Sequence, residues 1–304
     1  MIDKRLIVTL FCVLFFLKVS AQSSKSEGIT FFKEIVSRAP ESVFKMFLDA
    51  GMEPTNHELT PEEQLKVEQA FLILPPLHQK ILSKHLQSIS FMDNMPNTAL
   101  TSTLEMVDSV KQFNITFRAG ILHETISEWA TWKEKSAFNF TANPTMDIQI
   151  DGGKLDAIQY VLLHEATHVV DAVLGLTPNT GKQDSLVIHT AFTKNIWHLF
   201  NTPNAQFKNP LLEKTRFRSG KVLPIISAPD IYKALKKTPF LSLYGMASWY
   251  EDAAELITIY HLTQKLGQPF IIYVKENNKV IATFESMKHK QVKKRIKKLD
   301  FLYR

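Results

Sequence analysis

Apolar residues recur along this chain with two periods, and the changes of period mark its elements. Helical spacing covers Glu41 to Ala50 and Pro61 to Leu74; in the second, Thr60 caps, Pro61 and Glu62 open the first turn, and Val67, Ala70, Phe71 and Leu74 share a face. Pro75-Pro76 breaks that helix and His78 to Leu86 forms the next. Ser88 to Met92, Phe113 to Phe117 and Met146 to Ile150 alternate as strands do, which predicts a small sheet. After Lys154, Leu155, Ile158, Val161, Leu162, Val169, Val170 and Val173 predict a helix buried on much of its surface and ending near Gly175 and Pro178. Further helices follow. Gln268 to Phe284 then reads as a hairpin, PFIIYV and KVIATF around Glu276-Asn277-Asn278. No repeat or low-complexity linker interrupts the series, and the expected class is α+β.

Composition changes this picture at the two ends. Lys4 and Arg5 precede an apolar run from Leu6 to Leu17, then Val19-Ser20-Ala21, the pattern of a signal peptide cut before Gln22. The run is too short for the roughly twenty residues that span a bilayer. The expected location is therefore outside the cytoplasm, periplasmic or secreted. Cys12 is the only cysteine and lies in this leader, so the mature chain has no disulfide, and any metal site must use His, Asp or Glu. At the other end, Lys288 to Arg304 carries eight basic residues against one acid, inside a chain of net charge +6. Such an end could touch an anionic surface weakly. Val292, Ile296 and Leu299 recur at helical spacing, however, which favours a docked helix with solvated lysines over a nucleic-acid binder. The expected divisions are a leader over 1–21, a helical region over 22–84, a catalytic region over 85–287 and the basic helix over 288–304.

The helix after Lys154 contains HEATHVVD, residues 164 to 171, with polar side chains where packing would favour leucine. At about 100° per residue His164 and His168 lie about 40° apart and one turn apart, so both imidazoles reach one cation. Glu165 sits beside them. This is the HExxH arrangement, in which two His bind zinc and the Glu takes a proton from water the metal activates. A catalytic site normally adds a third protein ligand. The metzincin pattern is excluded by Asp171 and Leu174, and a deformylase-type site by the absence of a thiol. What remains is a carboxylate on SLYGMASWYEDAAELITIYHL, residues 242 to 262, where Glu251 and Glu255 share a face and Asp252 is a rival ligand. Asp171 shares the face of the two His and either orients His168 or closes the helix end. His123, His189, His198 and His261 lack partners at ligand spacing and read as structural; Trp249 and Tyr250 read as packing beside the site.

HEATHVVD, SLYG and EDAAE, in that order, resemble the gluzincin metallopeptidases of the lethal-factor-like kind. The segment LPPLHQKILSKHLQSISFMDNMPNTALTST also resembles exported bacterial zinc peptidases with a helical region before the catalytic part. The resemblance implies a zincin-like domain, in which a small sheet packs on the HExxH helix and a mostly helical second lobe completes the site. It implies zinc held by His164, His168 and Glu251, Glu165 as general base, Tyr244 beside the oxyanion, and Glu255 hydrogen-bonded to a ligand His. The substrate would be a peptide lying along an edge strand, expected at Thr145 to Ile150. The competing reading is a secreted, non-catalytic binding protein that keeps zinc for structure; such a site has no use for a base at Glu165.

Overall fold

The computed structural model describes residues 34–104, 106, 107, 109–179 and 187–304. The leader expected over 1–21 lies outside them. The helices are α1 (Glu41–Asp49), α2 (Pro61–Leu72), α3 (Pro76–His85), α4 (Ile126–Lys135), α5 (Ala157–Leu174), α6 (Arg216–Ser219), α7 (Ala228–Leu235), α8 (Trp249–Tyr260) and α9 (Lys290–Ile296). The strands used below are β1 (Thr55–Asn56), β2 (Leu86–Asp93), β3 (Ala99–Thr103), β4 (Phe113–Arg118), β5 (Phe138–Asn139) and β6 (Met146–Asp151). After three short strands, β7 (Trp197–Leu199), β8 (Thr202–Pro203) and β9 (Leu223–Pro224), come β10 (Ile271–Glu276) and β11 (Lys279–Phe284). The chain is a mixed α and β structure, compatible with the α+β class.

The three strands expected to share one sheet are divided between two. The first has the order β1-β2-β4-β3, with β2 and β4 parallel and β3 antiparallel to β4 at its edge. The second has the order β11-β10-β6, so Met146–Asp151 pairs with the C-terminal hairpin, Ile150 opposite Ile272. Alternation identifies a strand but not its partner, and these partners lie far apart in sequence. The hairpin itself closes as expected, with Asn277 and Asn278 both at positive φ, 48° and 62°, the turn whose twist matches its strands.

Helix α5 is central. Helices α2 and α3 pack against it, as do α4 and α8, while β3 runs across it. Ile158, Leu162, Leu163, Ala166, Val169 and Val170 are almost fully buried. At roughly 1.5–3 kcal/mol for each large apolar side chain, this burial outweighs the cost of the polar residues the helix also carries. The Gln159 side chain accepts from the Asp156 backbone at its start, and His78 of α3 meets the Thr167 hydroxyl at 3.0 Å. Gly175 ends it at φ +64°, its N–H donating to the Asp171 carbonyl at 2.7 Å. One hydrophobic core extends from Ile35 to Leu302, and a smaller cluster of Ala39, Val43, Phe47, Met92 and Met95 lies under α1.

The basic end docks as its apolar spacing predicts, with Val292, Leu299 and Leu302 buried. Arg295, however, is not among the solvated cations: it is 8% exposed. Among the described residues no helix is long and apolar enough to cross a membrane.

Candidate metal centre

Two helices far apart in sequence bring the cluster together. On α5, Nε2 of His164 and of His168 both turn toward Oε2 of Glu251 on α8, at 3.0 and 3.7 Å. Ligand atoms of these three residues all lie within 4.8 Å of one another. A tetrahedral ion with bonds near 2.0–2.1 Å holds its ligand atoms about 3.3 Å apart, so the observed distances bracket what such an ion needs. Glu251 stands in the first turn of α8, its N–H received by the Ser248 hydroxyl at 3.3 Å, where the helix dipole favours a carboxylate.

Charge around the cluster is arranged for a cation. Burial disfavours protonation of His164, but Glu251 and Glu255 outweigh it and raise its pKa to about 9. His168 is raised in the same way, chiefly by Glu251 against burial. Glu251 is held well below the usual carboxylate range, despite burial, by the charges and hydrogen bonds of both imidazoles. Positive charge is favoured at the point where the three groups meet.

Glu255, one turn along α8, is buried and receives the Tyr160 hydroxyl at 2.8 Å and the Ser242 hydroxyl at 2.6 Å. Its Oε1 lies 3.3 Å from Nδ1 of His164, the nitrogen turned away from Glu251, although the angle does not make a good hydrogen bond. Its place behind that nitrogen lets its charge orient the imidazole. Asp252 points elsewhere. Arg295 grips it with two hydrogen bonds of 2.7 Å and Trp197 donates to it at 2.8 Å, so it belongs to the core contact of the C-terminal helix and not to the cluster. Of its two candidate roles, Asp171 takes the closing of the helix end, accepting from the backbone N–H and hydroxyl of Thr177 at 2.7 and 2.5 Å.

Glu165 and Tyr244 face the same opening. The cluster lies in a cleft of about 730 Å³ bounded by Thr98 to Thr101, Trp132, Lys133, Phe217 and Tyr250 among others. The Tyr244 ring sits 5.9 Å from the His164 ring and edge-on to Phe217. Burial first, then the charges of Glu251, Glu165 and Glu255, keep its phenol protonated by raising its pKa well above the ordinary value. A protonated phenol can donate a hydrogen bond to developing negative charge.

Two features were not anticipated. The strand bordering the cleft is β3 and not Thr145 to Ile150, which lies in the other sheet. Its Thr101 hydroxyl donates to Oε2 of Glu165 at 2.6 Å. The sequence ALTST has no apolar alternation, so no periodicity announced it. The second is α4, which brings Lys133 and Trp129 to the site; its capping box, Thr125 with Glu128, was readable as a helix start. Tyr250 lines the cleft and donates to the Pro178 carbonyl at 3.2 Å, while Trp249 is buried in packing; of the remaining histidines, His261 bridges the Ile73 carbonyl and the Tyr303 hydroxyl.

No family model matches the chain, and no curated protein or solved structure matches it either. The functional reading therefore rests on these residues and their geometry.

Proposed function

We propose that this chain is an exported zinc-dependent peptidase of gluzincin type, with His164, His168 and Glu251 as ligands. The observation that carries the reading is the meeting of two imidazole nitrogens and one carboxylate oxygen within 4.8 Å, with the HExxH glutamate beside them and an open cleft in front. Zinc, when bound, makes water nucleophilic near neutral pH and polarises the scissile carbonyl. Glu165 takes the proton of the attacking water and returns it to the leaving amine. Thr101 holds one oxygen of that carboxylate and leaves the other free for the proton. Tyr244 donates its hydroxyl to the carbonyl oxygen as negative charge develops there.

Among the described residues no strand pairs with the outer edge of β3, and an extended peptide fits there. Arg118 donates to the Thr98 carbonyl and Leu104 to that of Gln112, so even-numbered positions bond to β4. Ala99 and Thr101 thus turn their backbone N–H and C=O away from β4, available to a substrate strand. With residues of α4, α5, β3, α8 and the Tyr244 turn all lining the cleft, this reading makes the architecture zincin-like. The leader expected over 1–21 makes the protein exported.

The test is metal content and peptide hydrolysis of purified protein, with Glu165→Gln as comparison. About one zinc per chain is expected in both, and turnover in Glu165→Gln should fall by several powers of ten. Equal cleavage by Glu165→Gln would remove the base from the mechanism. A zinc-loaded wild type that cleaves no peptide would favour a binding protein with a structural ion.

A further inference from the structure

We propose that Lys133 is a positioning residue for this reaction, fixing the Tyr244 ring through its face and balancing the buried charge of Glu255. This rests on the reading of the cluster as a hydrolytic metal centre.

Lys133 projects from the last turn of α4, one turn beyond Trp129. The capping box at Thr125 and Glu128 sets where the helix begins, and Trp129 packs against Tyr160 at 4.9 Å between rings, which fixes its face. The ammonium is thereby carried into the wall of the cleft, where the side chain is only 22% exposed. Nζ stands 3.6 Å from the centre of the Tyr244 ring, 5.1 Å from that of Trp129 and 3.7 Å from Oε1 of Glu255. The last is an ion-pair distance and not a hydrogen bond, so Lys133 acts as a point charge held between a π face and a carboxylate.

Both neighbours belong to the proposed machinery. Glu255 is 2% exposed and faces Nδ1 of His164, so its charge is what keeps that imidazole turned with Nε2 toward Glu251. A buried carboxylate needs a compensating cation, and the Lys133 ammonium, 3.7 Å from its Oε1, supplies one. Tyr244 comes from a short turn and not from a long helix, so its ring owes its orientation to what it touches: Lys133 over its face and Phe217 and His164 at its other sides. Neither role requires Lys133 to touch substrate.

The experiment compares wild type with Lys133→Met, Lys133→Arg, Tyr244→Phe and the double variant Lys133→Met/Tyr244→Phe, reading kcat, KM and zinc affinity by chelator competition. Lys133→Met is expected to lower kcat by about 10 to 100 fold with KM within about twofold, and to weaken zinc by about tenfold, as loss of support behind a ligand does. Lys133→Arg should recover most of both, because the charge remains. The double variant should lose less relative to Tyr244→Phe than Lys133→Met loses relative to wild type, since the part of the effect that passes through the Tyr244 hydroxyl is already gone while the part that passes through Glu255 remains. If Lys133→Met does not fold, Lys133→Gln replaces it. Wild-type kcat and zinc affinity in Lys133→Met would overturn the proposal, as would strictly additive losses in the double variant. A rise confined to KM would overturn it too, since it would make Lys133 a substrate contact. A wild type that binds zinc but cleaves nothing would remove the hydrolytic reading, while the affinity comparison would still decide whether Lys133 supports the ligand set.

Discussion

On α8 a single step of about 100° around the helix separates a carboxylate facing two imidazoles, Glu251, from one facing a guanidinium, Asp252. Sequence left the two open as rivals, and their partners differ: the imidazoles of His164 and His168 face Glu251, while Arg295 and Trp197 hold Asp252. Asp252→Ala would strand Arg295 without its partner in the core, so its expected cost is about 3–5 kcal/mol of unfolding free energy in urea, with metal affinity of the folded protein unchanged. Loss of metal from a still stable Asp252→Ala would mean that the helix register is wrong. A second buried acid gives a pH dependence. Burial, aided by the charge of Glu255, raises Glu134 to about 7 against the Tyr232 hydroxyl, which donates to it, and against Lys133. The folded value exceeds the ordinary 4.5, so the folded state holds the proton more tightly; that stabilisation is full below about pH 4.5 and is lost as pH rises through about 7. Urea unfolding between pH 5 and 8 should show a downward trend that flattens in Glu134→Gln, by at most about 3 kcal/mol. An unchanged trend in the variant would exclude Glu134 as its source. His164 and His168 were legible as a pair because helical spacing alone puts them on one face, whereas spacing left Glu251 and Asp252 open. Thr101, Lys133 and Arg295 were not legible, because each meets its partner across a separation that carries no periodic sign.

Helix α5 was legible as an element because its apolar positions, its Gly175 stop and its polar motif agree on one span. Strand β3 was not: Thr and Ser suit an edge that is half exposed on both faces, and such an edge shows no alternation. Its pairing now makes a specific expectation. The Ala99 N–H points away from β4, so proline there removes no ladder hydrogen bond and is tolerable on an edge strand. Ala99→Pro should keep fold and zinc while raising KM for extended peptides about tenfold, the loss of one backbone hydrogen bond to substrate. Unchanged KM in a folded Ala99→Pro would place the substrate elsewhere in the cleft.

The whole molecule is needed to make the site. Its candidate ligands come from α5 and α8, His164 and Glu251 being 87 positions apart in sequence, and these helices meet within a core that α2, α3 and the C-terminal segment share. The class of fold could be read from the order of elements; the division of strands between two sheets could not, because long-range pairing leaves no local mark. The basic C-terminus shows both sides of this: its apolar stripe announced docking, while the buried Arg295 depended on an acid in another helix. The most direct test of the central claim is an anomalous difference map, recorded on either side of the zinc absorption edge from crystals of zinc-loaded protein. One strong peak is expected about 2 Å from Nε2 of His164, Nε2 of His168 and the Glu251 carboxylate. A peak at Asp252 or at any other place in the molecule, or none at the α5–α8 junction in protein that retains zinc, would contradict it.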